Sequence, residues 1–204
     1  TSGTCPYNGR NPPPVSNLNI VAGAVQANRV MVALGNGPAG ANSAICVYAA
    51  VGKINVLLDA SGWFGTAGAP AGYQYQPIAP SRICDTRTAG GGCTAGALGT
   101  VPRPIHVAGF GGVPAPGGGN PVIQAVIANL TGIAPTRATY MVLYAASLAA
   151  PPGASDINLS PGQVLPNLVV VQLDTAPGSS DGVMNLLNAA GTANAAIDIE
   201  GWFQ

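Results

Sequence analysis

Apolar residues along this chain come in short bursts rich in Val, Ile and Leu, broken repeatedly by Gly, Pro, Asn and Asp. Bursts of that length and composition predict β-strands, and 29 glycines with 19 prolines leave little room for helices. Strands are expected near 80–86, 103–108, 121–131, 139–146, 155–160, 167–174, 182–188 and 194–202. In "AIDIEGWF" the alternation puts Ile197 and Ile199 on one face, with Gly201 next in that series. "NLVVVQL", at 167–173, is a nearly continuous apolar run and predicts a centrally placed strand. Four more strands are expected near 17–21, 28–34, 44–49 and 54–64.

The early strands repeat the late ones. Trp63 and Trp202, the only tryptophans, stand 139 residues apart, each followed by a phenylalanine in "GWF". The same offset lays "NLNIVAGAVQANRVMVAL" from Asn17 over "DINLSPGQVLPNLVVVQL" from Asp156 without a gap. Across residues 17–64, 15 of 48 aligned positions are identical, so the sequence carries an internal duplication. At this offset Thr1 falls on Tyr140, so the first copy starts in the middle of a unit. The organisation expected is the second half of a unit at 1–66, a linker at 67–76 and a complete unit at 77–204. The fold class expected is all-β, with β-sandwich-type, jelly-roll-like units, one complete and one half. Four strands without a partner layer would show water an apolar face and open edges. Their cover would come from the complete unit, a neighbouring subunit or a preceding segment.

Composition narrows the setting. Hydrophobic residues make up 48% of the chain and charged residues 7%, against roughly 25% charged in ordinary soluble domains. Seven basic residues balance seven acidic ones, so there is no basic stripe for nucleic acid and no charge asymmetry for an anionic membrane. No apolar run reaches the roughly 18 residues that a membrane-spanning helix needs. Near-zero net charge favours association between copies.

Four cysteines, with one histidine and no C-x-x-C spacing, argue against zinc and for two disulfides in an oxidising, extracellular setting. Cys84 and Cys93 bracket the glycine-rich "CDTRTAGGGC", which leaves Cys5 for Cys46. The offset makes this pairing geometric. Cys5 falls on Tyr144 and Cys46 on Asn185, so those two should be neighbours on adjacent strands.

The phrases "RICDTR" (82–87), "VAGFGGVPA" (107–115), "VIANLT" (126–131), "SDINLSPGQVLPNLVVV" (155–171) and "AIDIEGWF" (196–203) occur in that order. Together they make the chain resemble a repeat of bacterial, especially actinobacterial, secreted and cell-surface proteins. The resemblance covers nearly all of 77–204, and its second-half phrases recur in 16–64. It implies accessory modules beside secreted hydrolases or in surface arrays, with no catalytic residues. An isoleucine and a cysteine in the opening phrase depart from its common leucine pattern.

Candidate chemistry is sparse. Arg82, Asp85 and Arg87 form the dense charge cluster, expected as a structural ion pair at a strand end. Asp59 and Asp198 precede "GWF" in both copies, and each is expected to accept backbone N–H groups at a turn. Trp63, Phe64, Trp202 and Phe203 recur as a repeat motif, which points to core packing rather than sugar stacking. His106 lies in a strand-like phrase and lacks an evident nucleophile and orienting group. Asn129 and Asn158 head formal glycosylation sequons inside expected strands. No metal or cofactor site is expected. The function expected is non-enzymatic: a secreted or cell-surface structural protein that associates with copies of itself into a filament or layer. The alternative is a cell-wall or glycan-binding module using Tyr7, Tyr48, Tyr73, Tyr75, Tyr140 and Tyr144 as stacking faces.

Overall fold

The structure, a computed structural model, describes residues 16–32, 34–36, 42–65, 72–88, 91–175 and 182–204. The described residues form strands and no helix. The strands are β1 (Gly35–Asn36), β2 (Asn42–Ala44), β3 (Tyr75–Asp85), β4 (Arg103–His106) and β5 (Ala125–Ile133). They continue with β6 (Thr139–Ala145), β7 (Ile157–Leu159), β8 (Val164–Gln172), β9 (Val183–Asn188) and β10 (Asn194–Phe203). The chain divides into two compact units, Thr1–Ala24 with Arg29–Asp59, and Val25–Asn28 with Ala60–Gln204.

The eight strands expected from residue 80 onward are all present, as two four-stranded antiparallel sheets in the orders β3-β10-β5-β8 and β4-β9-β6-β7. This is a β-sandwich. β3 starts earlier than expected, inside the stretch read as linker. Gln74 exchanges two backbone hydrogen bonds with Gln204, which extends the pairing of β3 with β10. One apolar cluster joins the sheets: Ile83, Leu130, Val169, Val171, Ile197 and Ile199 from the first meet Ile105, Met141, Leu143, Ile157, Met184 and Leu186 from the second. Burying a side chain of this kind stabilises by roughly 1.5–3 kcal/mol. The alternation read in "AIDIEGWF" holds for Ile197 and Ile199, but the register shifts between Ile199 and Gly201, so Trp202 rather than Gly201 is the next residue in the core.

Partner choice in both sheets follows one rule. Every pairing among β3–β10 joins one of β3–β6 to one of β7–β10. Strands from the first and second halves of the unit therefore alternate across each sheet, and no two late strands pair with each other.

Two strand expectations need correction. β8 is an edge strand, not a central one. Pro166 lies within it and has no N–H to give a second neighbour, while Asn167, Val169 and Val171 point inward between half-buried residues. The strands expected near 17–21, 28–34, 44–49 and 54–64 are also not found. Among the described residues before 66 only the short β1–β2 hairpin forms, with Gly35 opposite Ala44. The pairing rule supplies the reason. These segments align with β7–β10, whose partners are β3–β6, and a late strand without an early one has nothing to pair with.

What does agree between the two aligned stretches is the turn chemistry. Gly23 and Gly162 have φ of 79° and 74°, and Gly52 and Gly191 have 76° and 63°, values that side-chain-bearing residues rarely adopt.

The "GWF" glycines differ in their surroundings. A Cβ on Gly201 would run into the Tyr75 ring, whereas one on Gly62 would meet nothing within 4 Å. Gly201→Ala is therefore expected to cost about 1 kcal/mol or more, by displacing Tyr75, and Gly62→Ala to stay within about 0.5 kcal/mol. Urea unfolding followed by tryptophan fluorescence measures both.

Candidate functional site

The densest polar constellation is the "RICDTR" phrase, where β3 ends beside the start of β10. Its alternation sends Ile83 into the core, while Arg82 faces Asp198, its register partner on β10. The guanidinium grips that carboxylate with two hydrogen bonds, Nε to Oδ1 at 2.8 Å and Nη2 to Oδ2 at 3.0 Å. Asp198 thus sits mid-strand on an arginine, which corrects the expectation that it serves a turn. Proximity in sequence groups Arg82 with Asp85 and Arg87, whereas its stronger partner lies 116 residues away.

Asp85 is held from the other side. Arg87 donates to it through Nε at 2.9 Å, Nη2 at 2.7 Å and its backbone N–H at 3.0 Å, and Arg82 Nη1 stands 3.7 Å away. The Arg87 side-chain hydrogen bonds pull the Asp85 carboxyl from 3.8 to about 2, against a smaller opposing effect of burial. The same contacts raise Arg82, chiefly through Asp198, and Arg87, through Asp85. Between these charges Thr86 is fully buried. Its hydroxyl donates to the Asn194 side chain at 3.0 Å and accepts the Ala195 N–H at 2.9 Å, tying the end of β3 to β10. Arg82 and Thr86 thus tie β3 to β10, while Arg87 closes on Asp85 two residues away.

Cys84 and Cys93 form a disulfide with their Cα atoms 5.3 Å apart. Cys46 is also disulfide-bonded, and Cys5, its expected partner, lies outside the described residues. The geometric test of that pairing is met in the complete unit. Tyr144 and Asn185 are register partners on β6 and β9. Burial raises the Tyr144 hydroxyl above its ordinary pKa, and its hydrogen bond with Asn185 partly offsets this.

The bridged loop is stitched to both sheets. Gly92 donates its N–H to Ile83 O at 2.6 Å and accepts the His106 N–H at 2.8 Å. Arg103 spends its guanidinium on the carbonyls of Thr94, Gly96 and Ala97. Beside it lies a shallow cleft of about 230 Å³ lined by Gly91, Gly92, Cys93, Thr94, Arg103, Pro104 and His106, somewhat below the roughly 300–1,000 Å³ of common ligand sites. Cys93 is oxidised and no carboxylate is among the lining residues, so His106 lacks an orienting acid there. Among the described residues no group of three or more His, Cys, Asp or Glu is placed to hold a metal ion.

The repeat motif separates into two environments. Trp202 belongs to the core, and Tyr75 packs against Phe203 with ring centroids 5.3 Å apart. Trp63, Phe64 and Asp59 are exposed, so core packing is corrected for the first pair of aromatics. The tyrosines of the complete unit lie on different elements. Tyr73 and Tyr75 stand at the start of β3, Tyr140 lies on the other sheet, Tyr144 is buried, and Tyr7 is outside the described residues. Asn129 and Asn158 lie within β5 and β7.

Sequence reasoning passed over the buried polar ties. Asp156 accepts the Leu143 N–H at 2.7 Å, and its carbonyl accepts from Asn167 at 2.6 Å. Asn188 donates to the carbonyls of Ala190 and Gly191 and accepts from Thr139. The identity of Asn28 with Asn167 was the available signal for one of them.

No protein-family model, curated protein or solved structure matches this chain.

Two outcomes follow for stability. Asp85 has a depressed pKa, so its contribution is present above 3.8 and disappears as the pH falls towards about 2. Asp85→Asn should flatten the acid limb of the stability–pH curve in that window, as read by denaturant midpoints. Replacing both Cys84 and Cys93 by alanine reopens a loop of nine-residue separation and is expected to cost about 2–3 kcal/mol. Paired urea titrations of the variant and parent measure that loss.

Proposed function

We propose that this chain is a non-enzymatic extracellular structural protein that joins β units through residues 17–64, building a filament or surface layer. One observation carries the reading. Among the described side chains of 16–65 none is buried, and Val21, Val30, Val32, Leu34, Val47, Leu57 and Leu58 are all exposed. Apolar surface on that scale is a cost in water and marks a site of interaction. Little net charge opposes close approach of such chains. The disulfides suit an oxidising exterior, and the resemblance to secreted and surface repeats points the same way. The charged cluster favours a structural role over catalysis, because its guanidinium and carboxylate groups are consumed by each other. A contact between unlike surfaces need not close on itself, so it can propagate.

The expected behaviour is a mass that rises with concentration. Native mass spectrometry and light scattering across a wide concentration series in mild buffer would register it, and a monomer throughout would sink the proposal. Leu58→Asp should raise the concentration for half-association at least tenfold, since one leucine's burial is worth more than the roughly 1.4 kcal/mol of a tenfold change.

A further inference from the structure

We infer that the complete unit is closed to strand addition at all four of its outer strands, and that backbone devices rather than charge close them. This property belongs to residues 75–203 and does not depend on association through 17–64.

The outer strands are β3 and β8 in one sheet and β4 and β7 in the other. An outer strand offers N–H and C=O groups to any extended polypeptide, and natural sheets often resist that approach with lysine. Here the only lysine is Lys53, ahead of β3, and β7 and β8 carry no charged residue. β8 is also nine residues long and largely apolar. An edge of that length and character pairs with other chains unless something prevents it.

Proline supplies the obstacle on three of the four. In an antiparallel pair successive residues alternate between bonding the neighbour and pointing away from it. Leu173 donates its N–H to Gln124, and Gln163 accepts from Ala134, so the odd-numbered residues of β8 bond β5. The even-numbered ones point outward, and Pro166 is among them. On β3, Gln74 exchanges its bonds with Gln204, so Gln76 faces β10 and Pro77 faces away. On β4, His106 turns its N–H from β9 to Gly92, and Pro104, two residues earlier, points the same way. Gly92 also donates to Ile83 on β3, so the disulfide-bridged loop lies along both edges. β7 is closed differently. It has three residues and reaches along β6 only from Thr139 to Met141. Met141 O accepts from Asp156 on this side, and alternation turns the Leu143 N–H the same way, past the end of β7. The Asp156 carboxylate takes that N–H at 2.7 Å. An added strand would thus meet a capped edge here and, elsewhere, a proline ring that leaves one of its carbonyls unmet.

The test places Pro166→Thr in the full chain carrying Leu58→Asp, which weakens the association proposed above, and compares it with Leu58→Asp alone. An antiparallel β8–β8 pair centred on Leu168 would set residue 166 of one copy against Val170 of the other, and the substitution restores the N–H needed there. The Pro166→Thr protein is expected to dimerise in native mass spectrometry. Its amide exchange at Leu168 and Val170 should slow about tenfold or more from dilute to concentrated samples. In the comparison protein those amides should exchange at one rate throughout. A Pro166→Thr protein whose β8 amides stay unprotected at every concentration would overturn the inference. Concentration-dependent protection of β8 in the comparison protein would overturn it equally. Association accompanied by lost protection across 125–133 and 194–203 would mean unfolding in place of pairing, and would also count against it. Should Pro166→Thr fail to fold, Pro77→Thr puts the same question to β3, read at the Tyr75 amide.

Discussion

Backbone hydrogen bonding between halves of the unit is the constraint on which the sandwich depends. Each late strand pairs with early strands only. Neither half can build even one two-stranded piece of the observed sheets by itself. The apolar core is consequently a joint product. Ile197 and Ile199 on β10 enclose it together with Ile83 on β3 and Leu130 on β5, residues far apart in the chain.

That constraint gives the polar groups their roles. Arg82 and Asp198 reach across the β3–β10 seam, Thr86 closes its end, and Asp156 receives the N–H of Leu143 from the early half. These ties specify register, because a strand shifted by one residue would put its side chains on the opposite face. One of the few opposite-charge pairs, Arg82 with Asp198, thus lies where the two halves meet. The Cys84–Cys93 bridge and Arg103 act at another level, shaping a loop whose backbone already bonds to β3 and β4.

Much of this was legible in the sequence, for definite reasons. Strand positions from 80 onward followed from Val- and Ile-rich bursts between Gly and Pro, since local propensity and burial agree there. The neighbourhood of Tyr144 and Asn185 followed from the expected Cys5–Cys46 pairing carried across by the offset. The N-terminal half failed because a periodic pattern states what a segment could become, while the hydrogen-bonding partner decides whether it does. β8 was misplaced because apolar continuity over 167–173 was the whole signal, whereas the strand starts at Val164 and takes in Pro166, whose missing N–H marks an edge. The Arg82–Asp198 pair was hidden for a third reason: it depends on register between segments more than a hundred residues apart, which no local pattern contains.

The position of β10 between β3 and β5 has a kinetic side. It is the last strand of its unit to be synthesised, yet it occupies the interior of the first sheet. During synthesis the early strands must therefore wait, unclosed, until the segment around Trp202 arrives. Long-range closure of this kind slows folding and leaves the facing edges of β3 and β5 without their shared neighbour until the very end of the unit has been made.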